Sequence, residues 1–169
     1  ESLYFLPVIL STTFLPRIGR GSGQFASDLG LRQLYRSAWL LGVGMSLTSI
    51  FLLPPLVPLV FGEEFLPAQA ALVWLGPAAF AVATGCASGA WLNTQGHQNL
   101  IAKRSAIGAL VNIMLNILLI PSMGFIGAAL ATSVAQLASV YLIGIFRREI
   151  SENLVNLVFP FGYLASRPD

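Results

Sequence analysis

Residues 112–137, NIMLNILLIPSMGFIGAALATSVAQL, contain no charged group, yet they carry Asn112 and Asn116 one helical turn apart and a Pro-Ser-Met-Gly interruption at 121–124. The uncharged tract around them is longer still: residues 105–146, 42 positions without Asp, Glu, Lys or Arg. As one straight helix it would be about 63 Å long, roughly twice the hydrocarbon thickness of a bilayer. The tract is therefore expected to fold back on itself. Pro121 lacks a backbone donor and Gly124 tolerates turn geometry, so the reversal is expected there.

Composition extends this reading to the whole chain. Of 169 residues, 56% are apolar and only 9% charged, too few to cover a soluble fold with a wettable surface. The expected class is an all-α integral membrane protein. A net charge of +2 is no phosphate-binding field, which excludes nucleic acid as a partner. The single cysteine, Cys86, lies in an apolar stretch and reads as a packing residue, with no disulfide or metal cluster to join. The opening ESLYFLPVIL has neither Met nor the basic flank of a signal peptide, so the chain is expected to be a fragment that starts partway through a helix.

Five apolar segments are expected to span the bilayer, at about 2–16, 37–61, 69–92, 105–121 and 124–146, followed by a cytoplasmic tail at 147–169. Alternating the connections by side places Arg17, Arg20, Arg32, Arg36, Lys103, Arg104, Arg147, Arg148 and Arg167 on one face. Glu63 and Glu64 fall on the other. The positive-inside rule makes the basic face, and the C-terminus, cytoplasmic. Trp39 and Trp91 then lie near the inner interface and Trp74 near the outer one. Pro54, Pro55 and Pro58 are expected to bend or end the second span, and Pro77 to kink the third.

The asparagines call for protein or water around them, because an amide exposed to hydrocarbon costs a few kcal/mol. Ser105, Ala109, Asn112 and Asn116 recur every three or four residues and form one helical stripe. Gly127, Ala131, Ala135 and Ser139 form a small-residue seam on the next helix, with Thr132 and Gln136 beside it. Two readings stand for Asn112 and Asn116: hydrogen-bonding glue between helices, or the lining of a polar cavity. In the first cytoplasmic loop, Asp28, Arg32 and Arg36 repeat every four residues opposite Leu31, Leu34 and Tyr35, the pattern of an interfacial helix. Arg32 and Arg36 are thus candidate lipid-headgroup contacts, or simple topological anchors. Gly19, Gly21 and Gly23 follow no strand and precede no Gly-Lys-Ser, so they are not a phosphate loop. His97 has no Cys, Asp or second His near it in sequence. Carboxylates and hydroxyls form no catalytic constellation, and neither an enzyme nor a cofactor is expected.

The stretches PLVPLVFGEEFLPA, NTQGHQNLIAKRSA and NIMLNILLIPSMGFIGAALATSV together resemble the C-terminal domain of bacterial polysaccharide-biosynthesis membrane proteins. These are the lipid-linked oligosaccharide flippases of the multidrug/oligosaccharidyl-lipid/polysaccharide (MOP) superfamily. Asn112, Leu115, Asn116, Leu119, Ile120, Pro121, Gly124, Gly127, Ala128, Ala129, Ala131 and Thr132 match the family pattern N-x-x-L-N-x-x-L-I-P-x-x-G-x-x-G-A-A-x-A-T in register. The resemblance implies most of the C-terminal lobe of a MATE-like transporter of twelve or fourteen helices, working by alternating access in the inner membrane. It implies membrane lipids, a lipid-linked oligosaccharide and a missing N-terminal lobe as partners, with Asn112, Asn116 and Gln136 meeting substrate. The family's cationic cavity residues have no intramembrane Arg or Lys counterpart by this segmentation. A drug or cation antiporter of the MATE type and a membrane scaffold are the alternatives. No expected span contains Asp or Glu, which favours the flippase over an ion-coupled antiporter.

Overall fold

The computed structural model describes residues 5–19 and 24–142, together with 155, 157 and 160. The described residues form helices and short turns, with no strand. In chain order they are α1 (Phe5–Gly19), α2 (Gln24–Leu47), a π-helical turn (Thr48–Leu52), α3 (Leu53–Phe61), a 3-10 turn (Glu63–Phe65), α4 (Leu66–Thr94), α5 (Gln98–Leu137) and a second π-helical turn (Ala138–Leu142). Three stretches are long and apolar enough to cross a membrane: Leu29–Phe61, Glu63–Thr94 and Gln98–Leu142. The apolar helix Phe5–Phe14 is shorter. The glycine-rich stretch 20–23, the outer ends of the first and last expected spans, and Arg147, Arg148 and Arg167 of the expected tail lie outside the described residues.

α5 contains the expected reversal. Gly124 leaves helical geometry with φ 57° and ψ −135°. A Cβ on Gly108 would lie 2.8 Å from Ser139 Cβ and 3.4 Å from Ala135 O. Along a straight helix, residues 108 and 135 would stand about 40 Å apart. α5 is thus a hairpin of two antiparallel limbs. Its turn is tight, since a Cβ on Gly127 would lie 2.5 Å from Leu119 O.

The second stretch departs from the expected boundaries. α2 begins at Gln24 rather than near 37 and runs without a break through Arg32 and Arg36. No separate interfacial helix precedes it. Leu31, Leu34 and Tyr35, expected on the apolar side of an interfacial helix, are buried with Ala38 in the core, against Ala87 and Ala90 of α4, Val140 and Leu157. Nothing in this part of the sequence interrupts a helix, and burial of its apolar side favours continuing it. α2 and α4 approach closely where glycine allows. A Cβ on Gly42 would lie 3.0 Å from Phe80 Cδ2 and 3.2 Å from Ala83 Cβ.

The prolines act through the carbonyls they leave unserved. The first π-helical turn precedes Pro54, and the Leu53 N–H bonds back to Thr48 O, which shifts the ladder before the residues that cannot donate. Pro58 removes the donor for Pro54 O, and Gln69 Nε2 supplies it from α4 at 2.9 Å. The helix ends where expected, at Phe61, with Gly62 at φ 93°. α4 runs on through Pro77. Around that proline, hydroxyls reach its carbonyls from both sides: Ser46 Oγ to Gly76 O at 2.9 Å, Ser49 Oγ to Leu72 O at 2.7 Å, and Ser133 Oγ to Trp74 O. α4 is therefore the hub, gripped by α2 on one side and by the second limb of α5 on the other.

Candidate binding groove

The two limbs of α5 enclose a groove of about 410 Å³. Ser105, Gly108, Ala109 and Asn112 line it from the first limb, and Thr132, Ala135, Gln136 and Ser139 from the second. The hairpin turn brings them together by laying the second limb back along the first, so that Gly108 meets Ala135 and Ser139. Helical spacing does the rest, putting each set on one face. The outer face of the first limb is different in kind: Leu110, Ile113, Met114, Ile117 and Leu118 are all more than half exposed.

Of the candidate residues, Asn112 and Gln136 line the groove from opposite walls. Asn116 stands one turn beyond and donates from Nδ2 to Asn112 Oδ1 at 2.9 Å. That bond occupies the Asn112 oxygen and leaves its amide N–H groups available to the groove. Asn116 Oδ1 is buried and has no hydrogen-bond donor among the described residues. On the second limb, Thr132 Oγ1 bonds to Ala128 O at 2.9 Å. The lining side chains include no charged group. Amides and hydroxyls on apolar walls present dipoles that hydrogen-bond to hydroxyls and amides, and supply no nucleophile, base or strong field.

Arg32 and Arg36 take no part in the groove. Both belong to α2, and Arg36 Nε donates to Pro160 O at 3.2 Å. His97 is exposed in the turn before α5, and Cys86 is half-buried in α4.

Arg104 is the residue that sequence reasoning misplaced. Assigned to a loop, it lies on the second turn of α5, next to Ser105. Its guanidinium reaches into α4, with Nη2 donating to Gly85 O at 2.8 Å and Nη1 to Ser88 Oγ at 3.5 Å. Gly85 and Gly89 leave the space it fills, since a Cβ on Gly89 would lie 3.2 Å from Nη2. The signal was present in α4, where Gly85, Ser88 and Gly89 make one small face a turn long. On the same level, Thr84 Oγ1 and Tyr141 Oη lie 3.0 Å apart, tying α4 to the second π-helical turn.

No protein-family model, curated protein or solved structure matches the chain.

Proposed function

We propose that this chain is most of the C-terminal lobe of a lipid-linked oligosaccharide flippase of the MOP superfamily. The parent protein moves an undecaprenyl-diphosphate-linked oligosaccharide from the cytoplasmic to the periplasmic leaflet of a bacterial inner membrane by alternating access. The observation that carries this reading is the groove itself. An otherwise apolar hairpin holds Ser105, Asn112, Thr132, Gln136 and Ser139 on facing walls. A glycan cannot shed its hydration to cross about 30 Å of hydrocarbon unaided, and hydrogen-bonding walls replace that hydration. Asn112, Asn116 and Gln136 serve sugar hydroxyls, and the lobe absent from this chain covers the open side of the groove.

In this reading the hairpin limbs are two spans. At about 39 Å for 98–123 and about 27 Å for 125–142, each is of bilayer dimensions. With α1, α2–α3 and α4 they make five, with the turn holding Glu63 and Glu64 outside and the polar turn before α5 on the cytoplasmic side. Inactivating the parent gene tests the function. Expected are loss of a surface glycan and accumulation of its lipid-linked precursor on the cytoplasmic side, with drug susceptibility little changed. Normal surface glycan with raised sensitivity to cationic drugs would replace the flippase by an antiporter.

A further inference from the structure

The Arg104 side chain is seated against uncharged partners only. Its hydrogen bonds go to a backbone carbonyl, Gly85 O, and a hydroxyl, Ser88 Oγ. Gly85 lies nine residues before the last residue of α4, Thr94, so the guanidinium sits about 14 Å inside the helix end. The carboxylates whose side chains the structure describes, Glu63 and Glu64, precede α4 and stand at its other end, about 30 Å away along the helix. A guanidinium in such surroundings, with no carboxylate bonded to it among the described residues, is costly to keep and marks a functional position.

The arginine also has somewhere else to go. Its Cα is six residues from the start of α5, and the turn ahead of it is polar, with His97, Gln98, Asn99 and Lys103 exposed. A long basic side chain at this depth can snorkel to that surface. A phosphate there would accept two parallel N–H···O bonds from the guanidinium, stronger than one bond to a carbonyl and a 3.5 Å contact to a hydroxyl. The notch it would vacate borders the groove: Arg104 adjoins Ser105, and a Cβ on Gly85 would lie 2.7 Å from Val140 Cγ2 of the second π-helical turn.

We propose that Arg104 is an anion-responsive latch. Seated between Gly85 and Gly89, it holds the start of α5 against α4. A phosphate group arriving at the polar end of the helix draws the guanidinium outward and frees the first limb of the groove to move. This proposal is independent of which substrate the groove takes. The phosphate is that of a lipid headgroup or of a soluble anion, and the test separates the two.

The test is hydrogen–deuterium exchange of the backbone amides of 98–108, with the full chain in nanodiscs. Three conditions are compared: phosphatidylcholine alone, phosphatidylcholine with phosphatidylglycerol, and phosphatidylcholine with inorganic phosphate in the buffer. Exchange is expected to be several-fold faster in one or both anionic conditions. Acceleration by the lipid alone identifies a headgroup, and acceleration by free phosphate identifies a soluble anion. Arg104→Gln should exchange fast in all three conditions. Gly89→Leu, whose side chain fills the seat without removing the charge, should exchange fast already in phosphatidylcholine. Equal wild-type exchange in all three conditions would overturn the proposal. So would a wild-type response in Arg104→Gln, or wild-type slow exchange of Gly89→Leu in phosphatidylcholine.

Discussion

Replacing Gly127 with Ala tests the hairpin turn on which the groove depends. The added Cβ would lie 2.5 Å from Leu119 O and 2.7 Å from Leu119 C. Close C–H···O contacts between helices settle near about 3.3–3.6 Å, so the overlap is roughly 0.8–1.1 Å. The obstacle is backbone, and no change of rotamer relieves it. The limbs must part near the turn, a kind of overpacking that costs about 1–3 kcal/mol. Alanine's better helix propensity returns about 0.8–1 kcal/mol. Because the obstacle is backbone, the upper half of that cost applies, about 2–3 kcal/mol, and the net expectation is a destabilisation of about 1–2 kcal/mol. For a chain of this length that lowers the melting temperature by about 2–8 °C. Gly44→Ala is the matched control, because nothing lies within 4 Å of a Cβ there. It should gain about 0.5–1 kcal/mol. The assay is thermal unfolding of the purified chain in detergent, with the two variants and the wild type measured side by side. A Gly127→Ala protein as stable as wild type, or more so, would refute the close antiparallel turn.

Gln69→Leu should destabilise by about 1–3 kcal/mol, because Pro54 O loses the side-chain donor that serves it in a proline-broken turn; a neutral result in the same assay would remove the role given to Gln69. Ser133→Ala should cost less, about 0.6 kcal/mol, the typical value for a side-chain bond between membrane helices. In a Cys86→Ser background, single cysteines at Gln98 and Met123 lie about 37 Å apart along the first limb and should label from opposite sides of the membrane; reaction of both with an impermeant thiol reagent from outside would reject the span assignment. In the restored full-length protein, Asn116→Leu should lower export more than protein level if the Asn112–Asn116 pair serves substrate, whereas proportional losses would reduce the pair to packing glue.

The hairpin and the polar stripe on each limb were legible because each rests on local chemistry, whereas the groove between the limbs was not foreseen. Pro121 and Gly124 announce the turn, and the spacing of Ser105, Ala109 and Asn112 against Thr132, Ala135 and Gln136 sets both walls once the turn is granted. The start of α2 was less so. Arg32 and Arg36 read as loop charges, whereas the decisive fact is that Leu31, Leu34 and Tyr35 find partners in the core, which no local pattern reports. Arg104 was misassigned for a related reason. Charge placed it at a membrane surface, but Gly85 and Gly89 on another helix give its head a seat well inside. The serine clasps on α4 around Pro77 were likewise hidden, since they join carbonyls neighbouring the proline to hydroxyls on distant segments, which no local pattern pairs.

The most direct test of the central claim is the leaflet distribution of the lipid-linked precursor in cells whose restored full-length protein carries Asn112→Leu with Gln136→Leu, measured at matched protein level. These changes strip one hydrogen-bonding group from each wall of the groove and leave its apolar packing in place. Expected is precursor held on the cytoplasmic leaflet and surface glycan reduced several-fold. An unchanged distribution with normal surface glycan would contradict the assignment of this groove to the substrate.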